Sequence, residues 1–366
     1  MIDNTKKSEL TAVTIQSRNW EGCIPIHLTL ASTSVSSPTI PPPIHTLVPR
    51  NTYLHVGLQV AVQRLQSFAL LLSPNIQQGT NMMQVKEPDP GIQSQIEEED
   101  DSTVRTEQIE STNAGTEKSS SCNNRVTYPA CWFEDEETKT ALRWQYFVGI
   151  LYDMKANHAI PWKIKLHFTN YPSSQILPLE YPNEVLYNVQ SFYKHSLKQA
   201  MAVISGNSKS AMNVTKQSHG ILWDAITNGN YALYQTVDLK IVSATATKSS
   251  SSPIPSIHAI PIRVFVNTTA PPIQRRIDGN QESLSLGQLL HEWLPEYFVV
   301  DVHSTVDTNN AEASITTYKP NTYTVECWKV CGIEPPLSTI IYDLWRNCSH
   351  PDHFLYVLVL TRDSTC

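Results

Sequence analysis

The sequence predicts an α+β protein in which two small sheet-and-helix domains flank a helix-rich domain. Three observations predict it. The order strand, strand, helix, strand, helix, strand occurs once before residue 172 and again after residue 257. The stretch between, Asn183 to Lys240, lacks strand alternation and carries Leu186, Val189, Tyr193, Leu197, Met201 and Ile204 at helical spacing. A length of 366 residues also exceeds the roughly 250–300 residues at which one hydrophobic core stops growing.

The first domain is read as residues 16–172, after a disordered tail at 1–15. Strands Ile24 to Leu30 and Ile44 to Tyr53 precede a helix from Leu54 to Leu72, whose apolar residues Leu54, Leu58, Ala61, Leu65, Phe68 and Leu72 share one face. A strand near Val126 to Phe133, a short helix from Trp144 to Ala156 and a strand from Trp162 to Phe168 complete it. Two low-complexity runs read as disordered insertions: a Ser/Pro-rich one near 32–43 and an acidic, Gln/Ser/Thr-rich one near 73–124.

The helix-rich domain is assigned to 173–243, with a stop at Gly206-Asn207 and short helical turns around Leu222, Trp223, Tyr231 and Tyr234. A Ser/Pro linker at 244–256 leads to the second sheet domain, 257–362. Its strands are Ile257 to Asn267 and Ile273 to Ile277, and a capping-box pattern, Ser285 to Gln288, starts a helix. Val299 to Asn321 reads as loose chain. A strand from Tyr323 to Val330, a helix with Leu337, Ile340, Ile341, Leu344 and Trp345 on one face, and a strand from Phe354 to Leu360 close the domain. The ubiquitin-like β-grasp is the fold best known for this order, so the expectation is two ubiquitin-like β-grasp domains flanking a helix-rich domain.

Charge narrows the function. Of the net −7, the segment Ser73 to Arg125 carries −6, from ten acids against four bases. The remainder is nearly neutral and offers no basic face for nucleic acid. The amino terminus lacks the apolar stretch of a secretory signal, and no run reaches the roughly 18 apolar residues of a membrane span. A cytosolic chain with free thiols is expected, its seven cysteines being odd in number and scattered.

Catalytic signatures are sparse. The twelve glycines form neither GxGxxG nor a GK[ST] loop. His291-Glu292 starts like a zincin helix, but the second His is missing and Pro295 would break that helix, so His291 reads as a surface residue. Cys327 and Cys331 read as core or edge residues sharing a strand face rather than as half a zinc site. Cys131 and Cys348, the latter near His350 and His353 in sequence, are the only candidates for a thiol enzyme. The carboxy terminus, Asp363 to Cys366, has no glycine, as a transferable ubiquitin-like protein requires.

Several blocks resemble the autophagy protein 5 family: Trp20-Glu-Gly-Cys-Ile-Pro25, Leu142 to Asp153 with Pro161 to Phe168, Ser196-Leu-Lys-Gln-Ala200 followed by Ser205-Gly-Asn207, Ile260-Pro-Ile-Arg263, Gly332-Ile-Glu-Pro335, and His350 to Leu355. The resemblance spans about Arg18 to Leu360, with the insertions and Val299 to Asn321 departing from it. It implies a chain with no active site and no cofactor, joined through a lysine to the ubiquitin-like modifier autophagy protein 12 by E1-like and E2-like enzymes. Such a conjugate binds a helix of autophagy protein 16 and acts like an E3 in transferring autophagy protein 8 to phosphatidylethanolamine. The implied location is cytoplasmic, with peripheral recruitment to the preautophagosomal structure membrane. A thiol enzyme of a conjugation pathway and an unconjugated ubiquitin-like adaptor are the alternatives.

The lysine of the Leu-Lys-Gln-Ala block is Lys198, about 100° around the helix from Leu197, at the edge of the apolar face where its amine reaches solvent. Lys194 lies one turn earlier, a like charge at i,i+4 whose repulsion amounts to a few tenths of a kcal/mol. For the partner helix, Trp20 and Ile24 are the candidate contacts, with Trp20 equally placed to be a core anchor.

Overall fold

The computed structural model describes residues 15–36, 39–69, 130–155, 159–182, 184–207, 214–245, 257–267, 270–278, 283–306 and 312–362. The acidic run at 73–124, the tail before residue 15 and most of the linker at 244–256 lie outside the described residues.

A short helix, α1 (residues 15–21), precedes strand β1 (Cys23–Leu30). β1 alternates inward Ile24, Ile26, Leu28 and Leu30 with outward residues, as a half-buried strand must. It pairs antiparallel with β2 (Ile44–Pro49) and parallel with β4 (Trp162–His167), and β3 (Trp132–Asp135) adds antiparallel to β4. The sheet order is β2-β1-β4-β3. The start of the Ser/Pro run is part of this fold rather than an insertion. Ser32–Ser34 forms a 3-10 turn, and the buried Ser34 hydroxyl accepts the Phe168 N–H at 3.0 Å.

The single helix expected from Leu54 to Leu72 is two, α2 (Leu54–Gly57) and α3 (Gln59–Gln66). Gly57 is a weak helix former at the break, and beyond Gln66 the chain turns so that Ala69 pairs with Val35. The helix expected at Trp144–Ala156 is shortened to α4 (Val148–Asp153). Its aromatic lead-in is spent on packing, Phe147 bridging to Tyr53 with ring centroids 4.6 Å apart.

Helices α5 (Val185–Ser205), α6 (Lys216–Asn228) and α7 (Tyr231–Thr245) form the helical region. The left-handed Gly206 ends α5 at φ 70°, and an added Cβ there would meet the His258 ring at 2.8 Å, so only glycine lets the chain leave the helix towards the next strand.

The second sheet repeats the first strand for strand. β5 (Ala259–Val266) pairs antiparallel with β6 (Ile273–Asp278) and parallel with β10 (Leu355–Thr361), and β9 (Val325–Lys329) flanks β10, giving the order β6-β5-β10-β9. Helices α8 (Leu286–Trp293) and α9 (Ile341–Cys348) cover one face. The capping box forms as its pattern predicts: Ser285 Oγ accepts from Gln288 N at 3.2 Å, and Gln288 Oε1 from Ser285 N at 2.8 Å. The other face joins the first core through Phe265, Phe354, Tyr356 and Leu358. Burial on both sides explains why Leu-Tyr-Val-Leu-Val-Leu-Thr reads as an unbroken apolar strand.

The stretch read as loose, Val299 to Asn321, is instead a two-stranded ribbon, β7 (Phe298–Val306) against β8 (Glu312–Pro320). Its strands are rich in Val, Thr and Ile, and β-branched side chains suit an extended backbone. His291 is not a plain surface residue. It is partly buried, with Nδ1 2.7 Å from the Phe298 carbonyl where the ribbon begins.

Two buried histidines make the fold acid-sensitive. His55 and His350 have pKa values lowered to about 4 and about 3, burial being the largest cause for each. Their folded pKa values lie below the unfolded reference of about 6.5. Between these limits the unfolded chain binds protons that the folded chain refuses, so stability is present above about pH 6.5 and declines as pH falls. Each histidine adds a slope of up to about 1.4 kcal/mol per pH unit, which levels off near its folded pKa. Urea midpoints measured from pH 7 to pH 4.5 should fall steadily; a flat profile would contradict this.

Candidate functional site

The site is the middle of α5. Leu197 and Ala200 are fully buried and Ser196 nearly so, which fixes the helix rotation and turns Lys198 outward, where it is exposed. Lys194 is partly buried on the preceding turn. Across from them on α6, His219 has its pKa lowered, first by burial and then by the charges of Lys198 and Lys194. The expected placement of Lys198 on a helix, beside but outside the apolar stripe, is what the geometry shows.

What holds that turn of helix is a buried polar cluster. Ser196 donates to Asp352 Oδ2 at 2.6 Å and accepts from Arg263 Nη1 at 2.9 Å. Arg263 Nη1 also donates to the Tyr356 hydroxyl at 2.7 Å, which in turn donates to Asp352 Oδ2 at 2.7 Å. Two hydroxyls therefore bridge guanidinium and carboxylate, whose direct separation is 3.6 Å. Arg263 Nη2 reaches Gln199 Oε1 at 3.1 Å, Nε reaches Gln274 Oε1 at 2.9 Å, and the guanidinium lies 3.6 Å from the Phe354 ring centroid. Ser196 and Gln199 thus clamp α5 to β5 and to the turn before β10, on either side of Lys198. Burial and the nearby Asp352 raise the Tyr356 pKa well above its usual value, so its hydroxyl stays a donor.

Sequence reading did not connect these residues. A signal existed, since Arg263 interrupts an otherwise apolar strand, and a buried arginine needs paired acceptors.

Trp20 and Ile24, the candidate partner contacts, lie in the core of the first sheet domain. Trp20 is 6% exposed, with its ring 4.8 Å from that of Tyr234 and 5.9 Å from that of Tyr231, and Ile24 is 2% exposed on the inward face of β1. Both are core anchors. The thiol candidates are placed as follows. Cys131 is buried, its carbonyl 3.1 Å from His55 Nε2. Cys348 ends α9 facing Cys331, while His350 stacks on Phe147 at 5.4 Å. Among the described residues no group of three or more His, Cys, Asp or Glu is placed to hold a metal ion, and no helix is long and apolar enough to cross a membrane.

Two sheets of the same strand order flanking a helical region define the class: paired ubiquitin-like units around a helical bundle. Residues 19–87 and 109–168 match the family described as Autophagy protein ATG5, UblA domain; residues 187–244 match its alpha-helical bundle region, and residues 259–359 its UblB domain. Autophagy protein 5 of Debaryomyces hansenii is 27% identical over 254 residues, covering 65% of this chain and 77% of that protein. Autophagy protein 5 of Oryza sativa subsp. indica is 33% identical over 111 residues, 30% of this chain and 28% of that one. The crystal structure of Kluyveromyces marxianus Atg5 shares the fold, with a TM-score of 0.60 at 17% identity over 94% of this chain and 98% of that one. The chain belongs to the autophagy protein 5 family.

Proposed function

We propose that this chain is a non-catalytic acceptor and scaffold, joined through Lys198 by an isopeptide bond to the carboxy-terminal glycine of autophagy protein 12. Its two sheets serve as ubiquitin-like β-grasp modules for binding, and the conjugate takes a helix of autophagy protein 16. The assembly promotes E3-like transfer of autophagy protein 8 to phosphatidylethanolamine. It acts in the cytoplasm and is recruited peripherally to the preautophagosomal structure membrane. The observation that carries this reading is an exposed lysine on a helical turn whose flanking residues, Ser196 and Gln199, are tied to a buried ion-pair cluster.

The chemistry follows from that placement. The amine of Lys198 must reach an activated glycine held by an E2-like enzyme, and a rigid helix presents it with little conformational entropy left to lose. Positioning and deprotonation of the amine come from the delivering E2-like enzyme. In a reconstitution with E1-like and E2-like enzymes and the modifier, Lys198→Arg should abolish the higher-mass species. Persistence of that species would overturn the assignment and direct the search to Lys194 and Lys209.

A further inference from the structure

The cysteine that the sequence pairs with Cys327 is brought by the fold to a different partner. Cys331 lies beyond the end of β9, in a left-handed conformation with φ 51°, at the turn before Gly332. Its Sγ donates to the carbonyl of Cys348 at 3.0 Å, which sets the two cysteines side by side. Cys348 is the last residue of α9, so its side chain is held by the helix. Gly332, at φ 82°, packs where an added Cβ would stand 2.8 Å from Arg50 Nη2, which pins the turn carrying Cys331.

We propose that Cys331 and Cys348 form an oxidisable dithiol, a modification site at which a peroxide converts the two thiols to a disulfide that staples the turn after β9 to the end of α9. The pair is chemically differentiated. The neighbouring Cys348 and burial raise the Cys331 pKa well above the usual thiol value, whereas the neighbouring Cys331 lowers that of Cys348. Cys348 is therefore the thiol that deprotonates to attack, and Cys331 the resolving thiol. The Cys348 thiolate attacks one peroxide oxygen, breaking the O–O bond and giving a sulfenic acid and, after proton uptake, water. The sulfur of Cys331 then attacks the sulfenic sulfur. The S–S bond forms, hydroxide leaves, and the Cys331 proton completes a second water, so two thiols and one peroxide give one disulfide and two waters. Cys348 is buried, and the partial exposure of Cys331 opens the pair to a small uncharged oxidant.

Tryptic cleavage after Lys329, Arg346 and Arg362 places Cys331 and Cys348 on separate peptides, 330–346 and 347–362, with Cys327 on a third. The folded full-length chain is titrated with hydrogen peroxide, alkylated with iodoacetamide, and digested without reduction. The expected result is a disulfide-linked pair of peptides 330–346 and 347–362, formed ahead of any link to Cys23 or Cys327 and separated by reductant. The preference should disappear when oxidation is carried out in concentrated urea, where only the fold has been removed. With Cys348→Ser, peptide 330–346 should be recovered alkylated and unlinked. Recovery of both wild-type peptides singly alkylated while the exposed Cys23 is oxidised would overturn the proposal. So would linkage of either cysteine mainly to another, or the same linkage pattern in urea as in the folded chain.

Discussion

Asp352→Ala is expected to destabilise the protein by about 3–5 kcal/mol, because it leaves the Arg263 guanidinium buried without its counter-charge. Arg263 is 5% exposed and Asp352 1% exposed, so water cannot take over as partner. The loss extends beyond one ion pair. Ser196 and Tyr356 both donate to Asp352 Oδ2, and the Phe354 N–H donates to Oδ1 at 3.3 Å, so three donors lose their acceptor together. Asp352→Asn, which retains one acceptor oxygen, should cost less. Replacing the pair together, Arg263→Met with Asp352→Leu, should recover much of the loss, since no buried charge then remains. Urea unfolding of wild type, Arg263→Met, Asp352→Leu and the double variant closes the cycle. Equal and additive costs for the singles would mean that the two groups are uncoupled, against the hydroxyl-bridged geometry. The same variants bear on function: with Ser196 and Gln199 released, the turn carrying Lys198 loosens, and conjugate formation should slow even though the lysine is untouched.

The strands and their order were legible because each depends on short-range patterns. Ile24, Ile26, Leu28 and Leu30 alternate, and the unbroken apolar run of β10 marks a strand buried on both faces. The helical, solvent-facing position of Lys198 was legible one step from Leu197 on a periodic helix, whereas its choice among the lysines came from the resemblance of the Leu-Lys-Gln-Ala block. The β7–β8 ribbon was not, since its strands lie mostly outside the resembling blocks and no Asn-Gly or Gly-rich hairpin signal joins them. The clamp around Lys198 was also hidden. Ser196, Arg263 and Asp352 are far apart in sequence, and only the approach of α5 to β5 and to the turn before β10 gives each polar group its partner. Cys331 illustrates the same limit: sequence spacing paired it with Cys327, whereas the left-handed turn after β9 carries it to Cys348.

Trp20→Ala should be the other large stability loss, about 3–5 kcal/mol for truncating a buried tryptophan. Its ring fills the space between α1 and the paired tyrosines Tyr231 and Tyr234. A helix this short does not hold itself in water, so α1 depends on tertiary ties. Those ties are Gln16 Nε2 to the Arg346 carbonyl at 2.7 Å, Asn19 Nδ2 to the Asn347 carbonyl at 3.0 Å, and the Tyr231 hydroxyl to Gln16 Oε1 at 2.9 Å. All three join α1 either to the end of α9 or to α7, the helix whose tyrosines Trp20 packs against. Removing the ring should therefore detach α1 as a unit, lowering the urea midpoint and raising hydrogen exchange at residues 15–21 together. Trp20→Phe, which keeps most of the apolar volume, should cost less. A partner role makes the opposite forecast. If Trp20 served chiefly to bind a helix, the alanine variant would unfold within about 0.5 kcal/mol of wild type, the spread of ordinary surface substitutions, and lose affinity instead. Unfolding and partner binding measured on the same preparation, at a urea concentration where the variant remains folded, decide between the two.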